Sequence, residues 1–399
     1  MRIAFVTPEY ISENNFDGGL ANHLGRVCPS LARLGHEVSV IVASDVRGTL
    51  TLDGVTVHRV AVHPSLRYLA NRLTCWRLTT AVEWLLKSHA LNRAVRRLHR
   101  RSPFDIVQYA SYCATAFFRP GRLRAVVRIS SYEPLRQEAY SLPDTPDHRL
   151  MARLDLAAIR KADALFGPSR LIADVVAQEA LRPVQVIEPP FSVESAGWDH
   201  RPYLDLLEGK RYLLFFGTLG VLKGVAVIAE AIEELLQRHP DLLVVFIGKD
   251  GGYHGRPMIQ HVWEKAGAQR GRVISLGQMR HHQLYPILSR ATAVLLPSLI
   301  DNLPNSCLEA MALQRVVIGT RGASFEQLID DGESGFLCER GSAEGLLAAI
   351  ERALWLTEQE RSRIGERAAG RIGRLHPEAA LGTLLEFYRS VIRDQGMVS

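Results

Sequence analysis

The chain alternates, from its first residues onward, between apolar runs too short to be helices and longer stretches with apolar residues at helical spacing. RIAFVT (2–7), EVSVIVA (37–43), VTVHRVAV (55–62), DIVQ (105–108), RAVVRIS (124–130), ALFGPS (164–169) and VQVIEP (184–189) are the runs of the first half. YLLFFG (212–217), LLVVFIG (242–248), VISLG (273–277), ATAVLLP (291–297) and RVVIGT (315–320) repeat the plan in the second. Continuous apolar strands separated by helices specify an α/β fold, in which a parallel sheet is covered on both faces. The helix after the first run is written by Leu20, Leu24, Val27, Cys28, Leu31 and Leu34, with Gly35 as its C-cap and Pro29 as an expected kink.

A length of 399 residues exceeds what one core usually organises. The Pro-, Gly- and charge-rich stretch of 188–210 breaks both periodicities, so a hinge is expected there. The predicted organisation is a doubly wound domain over 1–190, a linker over 191–210, and a second doubly wound domain over 211–375. A final segment, 376–399, would carry a helix packing back across the hinge. Ligands of such sheets bind outside the carboxyl ends of the strands, here expected in a cleft between the domains.

Composition excludes several classes. No apolar run reaches 18 residues, so no membrane-spanning helix is expected, and MRIAFVTPEY reads as a strand rather than a signal peptide. The five scattered cysteines form no Cys-x-x-Cys pair, which predicts neither a disulfide framework nor a zinc site and fits a cytoplasmic location. The net charge of +6 is concentrated in residues 65–104, where nine Arg and Lys residues face one acid, Glu83. Trp76, Trp84, Leu85, Leu86, Leu91 and Leu98 are interleaved with them. The segment is read either as a peripheral contact with an anionic membrane or as a core-packed helix with a solvated Arg face. No nucleic-acid motif accompanies it, so no nucleic-acid partner is expected.

Candidate site residues fall where strands end. Asp17-Gly18-Gly19 precedes the first helix, where adjacent glycines allow close backbone approach and a helix N-terminus favours an anion. Gly217-Thr218-Leu219-Gly220-Val221-Leu222-Lys223-Gly224 ends the first strand of the second half and brings a mobile cation to a helix start, a combination suited to a diphosphate. Gly248 and Met279 follow the next two strands, in turns that can line a base pocket. In LIDNLPNSCLEAMALQ (299–314), Ser306 and Glu309 have capping-box spacing behind Pro304. The same helix start, with Asn305 and Ser306, also points free N–H groups at an anion. Glu309 could serve a ribose, and Asp301 sugar hydroxyls.

These segments together resemble the family 4, or group 1, glycosyltransferases of GT-B architecture, two doubly wound Rossmann-like domains facing across a cleft. Asp301…Glu309, with seven residues between, resembles the family's Glu-x7-Glu pair. PSLIDNLPNSCLEAMALQRVVIGT, FFGTLGVLKGV, GGLANHLGRVCPSLARLGHEVSV and ASFEQLIDDGESGFL resemble its other conserved blocks. The resemblance implies retaining transfer of a hexose-type sugar from a nucleotide diphosphate-sugar, a UDP-sugar being the expected donor, to a glycan or lipid-linked acceptor at the cytoplasmic face of the membrane. It implies no cofactor and no metal. Asp301 would touch the sugar and Lys223 the leaving diphosphate. Glu309, Gly217, Thr218, Asn305, Ser306, Gly248 and Met279 would hold the rest of the donor, while Gly18, Gly19 and Ser130 would lie by donor and acceptor. Two positions depart from the family: Thr218 stands where Arg is usual, and Ser130, followed by Ser131, Tyr132 and Glu133, stands where His is frequent. Transfer to a soluble small molecule, a sugar-nucleotide epimerase and a non-catalytic nucleotide-sugar binder are the competing readings.

Overall fold

The computed structural model describes residues 1–13, 19–62, 64–140, 142–193 and 197–393. It divides into two compact units, Met1–Pro190 with Pro377–Ser399, and Phe191–His376. In the first, β1 (Arg2–Thr7), α1 (Gly19–Arg33), β2 (Glu37–Ala43), β3 (Gly48–Leu52), β4 (Val55–Val60), α2 (Pro64–Leu73), α3 (Thr79–Arg101), β5 (Ile106–Ala110), β6 (Ala125–Arg128), α4 (Glu133–Ala139), α5 (Pro146–Arg160), β7 (Ala164–Gly167), α6 (Arg170–Ala180) and β8 (Val184–Val186) follow one another. The sheet order is β3-β4-β2-β1-β5-β6-β7-β8. Every pair is parallel except the edge hairpin β3–β4. Ile3, Ala4, Phe5 and Val6 of β1 are all essentially inaccessible, as a strand covered on both faces requires.

One face of this sheet packs α3 and α5 through Trp84, Leu91, Val95, Leu154 and Ile159. The other packs α1 through Leu24, Val27 and Leu31. It also packs the C-terminal helix Pro377–Arg393, through Leu381, Leu384, Phe387 and Tyr388. The Tyr388 hydroxyl donates to the Gln108 side-chain oxygen of β5, across 280 residues of sequence. The α1 helix is assigned without interruption through the buried Pro29. Leu34, which helical spacing puts on the buried stripe, is 50% exposed because the helix has already ended at Arg33.

The second unit holds α7 (Arg201–Leu206), β9 (Arg211–Phe216), α8 (Val225–Arg238), β10 (Leu242–Ile247), α9 (Met258–Ala266), β11 (Val273–Ser275), α10 (His281–Leu288), β12 (Ala293–Leu296), α11 (Asn305–Ala312), β13 (Val317–Thr320), β14 (Phe336–Cys338), α12 (Ala343–Leu354) and α13 (Glu358–Gly373). Its sheet, β11-β10-β9-β12-β13-β14, is wholly parallel. The order steps outward in both directions from β9, so β9 and β12 flank a topological switch point, the place where such sheets take ligands. The stretch expected as a separate linker belongs to this unit. Phe191 and Leu207 are buried in its core beside Tyr212 and Leu288.

Candidate functional site

The loops after β9, β10 and β11 are tied into one layer. The Gly217 N–H donates to the Ile247 carbonyl at 2.9 Å, and the Gly248 N–H donates to the Gly277 carbonyl at 2.8 Å. A Cβ on Gly248, whose φ is +149°, would lie 1.8 Å from the Gly217 carbonyl oxygen, so two loops meet there at a separation only glycine permits. Thr218 is exposed on this layer, and Met279 packs partly into the core below it.

Lys223 ends a single 3-10 turn, Val221–Lys223, and Gly224 opens α8 with φ +74°. A Cβ on Gly224 would fall 1.8 Å from the Pro297 carbonyl oxygen at the end of β12. The Leu299 N–H donates to the Leu222 carbonyl at 2.8 Å. These two approaches seat the β12 loop against the β9 loop, and residues 78 apart in sequence become partners. Lys223 Nζ lies 2.5 Å from Asp301 Oδ2, with the Asp301 side chain 12% exposed and that of Lys223 37%. The second Asp301 oxygen accepts the Asn302 N–H at 3.0 Å, and the Ser324 hydroxyl donates to the Asp301 carbonyl at 2.9 Å.

α11 starts differently from the capping-box expectation. Its N-cap is Pro304, whose carbonyl accepts from the N–H groups of Cys307 and Leu308. Ser306 is the second helical residue rather than the cap, so the reciprocal Ser–Glu bonds are not formed. No acceptor meets the N–H of Asn305 or Ser306 among the described residues. They form the positive end of a two-turn helix. Glu309, one turn in, is 5% exposed, with Oε1 3.5 Å from Nε2 of His281. His281, the first residue of α10, lies against the Tyr285 ring at 5.4 Å between centroids. Sequence reasoning missed it, although a histidine opening the helix after the Gly277 turn was a readable signal.

In the first unit, Gly18 and Asp17 lie outside the described residues. Gly19 is the exposed first residue of α1. The Ala21 N–H of the first turn donates to a Glu9 carboxylate oxygen at 3.2 Å, so this helix start already holds an anion of the chain's own. Ser130 is half-buried. Its N–H and that of Ser131 donate to Ser111 Oγ at 3.1 and 3.3 Å, while the Ser111 hydroxyl is 2.6 Å from the Ser131 carbonyl it donates to. Glu133, considered for its nearness to Ser130, is a structural residue. Its buried carboxylate accepts two bonds from Arg136 and one from Gln137. Its N–H donates to Asp155, whose carboxyl is pushed well above the usual range by burial.

The basic stretch 65–104 divides in two. α3 buries Trp84, Leu91 and Val95 and turns Arg93, Arg97, Arg100 and Arg101 outward, a core-packed helix with a solvated Arg face. α2 and the turn after it behave differently. Tyr68, Leu69, Leu73 and Trp76 are 58%, 55%, 77% and 56% exposed, among the exposed Arg67, Arg72 and Arg77. No helix among the described residues is long and apolar enough to cross a membrane.

Two family models match. Residues 210–355 match "Glycosyl transferases group 1", and residues 18–190 match "Glycosyl transferase 4-like domain". Glycogen synthase of Mycobacterium tuberculosis is 25% identical over 89% of this chain and 86% of its own length. Phosphatidyl-myo-inositol mannosyltransferase of Mycolicibacterium smegmatis is 24% identical over 98% and 94%. Among solved structures, sucrose-phosphate synthase from Thermosynechococcus elongatus superposes with a TM-score of 0.75 at 16% identity, covering 98% of this chain and all of that one. HepE from Anabaena gives 0.71 at 16% identity over 98% and 100%. These likenesses show the fold. The two family models between them cover every strand of both sheets except β1, with Gly18, Gly19, Ser130, Lys223, Asp301 and Glu309 among the matched residues, and the chain belongs to the group 1 glycosyltransferases, with the GT-B fold.

Proposed function

We propose that this protein moves a hexose-type sugar, with retention of anomeric configuration and without a metal, from a UDP-sugar to a hydroxyl of a lipid-linked or cell-surface glycan intermediate. The observation that carries the reading is the Lys223–Asp301 pair at the switch point of the second sheet, alongside α11 with Glu309 one turn inside it. A diphosphate arriving there meets the ammonium of Lys223 and the open N–H groups of Asn305 and Ser306. It competes with Asp301 for Lys223. Once released, Asp301 is an acceptor for sugar hydroxyls, and Glu309 is one for the ribose. Charge building on the departing diphosphate is then met by preorganised donors, the main source of acceleration in such a site. The leaving oxygen takes the acceptor's proton on the same face, so no protein nucleophile is needed. Thr218 and Ser130 add no charge, which leaves Lys223 and the helix dipole as the principal electrostatic elements.

Structures of this fold solved in complex with UDP and with UDP-2-fluoro glucose support UDP as the carrier. The test is a thermal-shift panel of UDP, GDP, ADP and TDP with their sugar conjugates, followed by product anomer analysis in EDTA. A ligand at 100 times its Kd stabilises by about 2.7 kcal/mol, a rise of a few degrees. UDP is expected to give that rise, and Glu309→Ala to lose it while keeping its own melting temperature within a few degrees. A flat panel would sink the transferase reading.

A relative named for mannosyl transfer to phosphatidyl-myo-inositol spans 98% of the chain, which supports a lipid-linked acceptor. The apolar tip of α2 within its arginines supports peripheral contact with anionic lipid, where each basic residue near the surface contributes about 1 kcal/mol. Sedimentation with vesicles containing acidic phospholipid at low salt is expected to fall at least tenfold in Leu73→Ser/Trp76→Ser. Equal sedimentation of parent and variant, or none of either, refutes the contact.

A further inference from the structure

Arg128, the last residue of β6, is 7% exposed and has no side-chain hydrogen bond or ion pair among the described residues. Strand alternation sets its side chain on the face of Val126, Phe166 and Ile106, which packs α1 and the C-terminal helix. Among the described residues, the charged or titratable groups that act on Arg128 or on its neighbour His23 are Arg26 of α1 and Tyr388, and none is a carboxylate. Burial pushes the Arg128 guanidinium down to about 10, and holds His23 well below its usual value, with Arg128 and Arg26 adding to the effect. A largely buried cation with no counter-ion among the described residues is an unfavourable arrangement, and its guanidinium is not among the side-chain nitrogens sealed from solvent without a partner. It sits, moreover, at the carboxyl edge of a doubly wound sheet, beside the Ser111–Ser131 backbone knot, where ligands of such sheets bind.

We infer that Arg128, with His23 beside it, forms a subsite for a phosphate-class anion in the first unit, and that the acceptor of the transfer proposed above carries that group. This rests on the transferase reading for the word acceptor, but not for the anion. A guanidinium fork matches two oxygens of a phosphate monoester, a geometry a lysine would not give.

The full chain is titrated by calorimetry and thermal shift with inorganic phosphate, a hexose 6-phosphate and the neutral hexose at matched ionic strength, with UDP as a separate arm. The parent is expected to rise by a few degrees with phosphate and with the phosphorylated hexose, and not with the neutral one. R128Q is expected to bind both at least tenfold more weakly, to keep the UDP response, and to melt no lower than the parent without anion, because it removes an uncompensated charge. R128K, which keeps the charge and loses the fork, should fall between. An Arg128-dependent response confined to vesicles of acidic phospholipid would assign the group to a lipid headgroup, and one to the hexose phosphate would assign it to a soluble ester. The inference is overturned if the parent shows no phosphate response while UDP binds, if R128Q responds like the parent, or if R128Q alone is strongly destabilised, which would make Arg128 a structural member. Loss of the UDP response with the phosphate response intact would instead remove the transferase reading and leave the anion subsite standing.

Discussion

Lys223→Ala is expected to lower kcat/KM for the nucleotide-sugar by about 10²–10³-fold, the usual cost of deleting one preorganised donor to developing negative charge. The protein itself should barely notice. Lys223 is more than a third exposed and its pair with Asp301 opens to water, so the structural contribution of the pair is that of a surface ion pair, about 0–1 kcal/mol. The melting temperature should therefore move by no more than about 2 °C. That separation is the point of the experiment. A residue that only fastens the β12 loop would lose stability and activity together, whereas a residue that meets the diphosphate loses activity alone. Lys223→Arg should recover part of the rate, since the charge remains but the reach differs. Calorimetric titration of UDP with steady-state kinetics decides it. A loss below threefold in kcat/KM would remove Lys223 from the site.

Gly224→Ala is expected to have the largest effect on the fold. An alanine at φ +74° carries strain of order 1–3 kcal/mol. The added carbon also meets a backbone oxygen 1.8 Å away, an atom no rotamer change can move. Either the turn before α8 shifts or the loop after β12 does, and these carry Lys223 and Asp301. A fall in melting temperature of about 5–10 °C follows for a unit of this size, with loss of the nucleotide response even below the transition. Gly220→Ala is the control from the same loop. Its φ is −151° and its nearest neighbour would be the Thr218 methyl at 4.0 Å, so it should melt within about 0.5 kcal/mol of the parent. If both variants melt alike, the close approach of Gly224 to Pro297 is not what holds the two loops together.

How far the sequence spoke for itself differs from place to place. The parallel strands were legible because a strand covered on both faces must be continuously apolar, and LLVVFI or AVLL admits little else. The β3 strand was not among the expected runs, since GTLTL lies at a sheet edge with Gly48 and Thr49 exposed and has no need to be apolar. Its Asp53-Gly54 turn was the overlooked signature. Lys223, Asp301 and Glu309 could be nominated from spacing, but their pairing could not, because it depends on a contact of Gly224 with Pro297 that no local pattern encodes. The capping-box expectation failed by two positions: Pro304 took the cap, and the Ser-x-x-Glu spacing was carried inside the helix. Arg128 was invisible for the opposite reason. In RAVVRIS an arginine at a strand end reads as exposed, and only the packing of α1 and the C-terminal helix encloses it.

The helix Pro377–Arg393 gives the chain an unusual order of manufacture. The first unit is opened at residue 190 and completed only after the whole second unit has been made. At roughly 5–20 residues per second, a ribosome takes about 10–40 s to travel from residue 190 to the last helix. During that interval the α1 face of the nascent first sheet lacks Leu381, Leu384, Phe387 and Tyr388, and Gln108 lacks its phenol. The second unit is one uninterrupted stretch and can close as soon as it emerges. The later-synthesised half thus finishes first. The earlier half waits with an apolar surface bare, which makes it the part of the newborn chain that chaperones would be called on to shield.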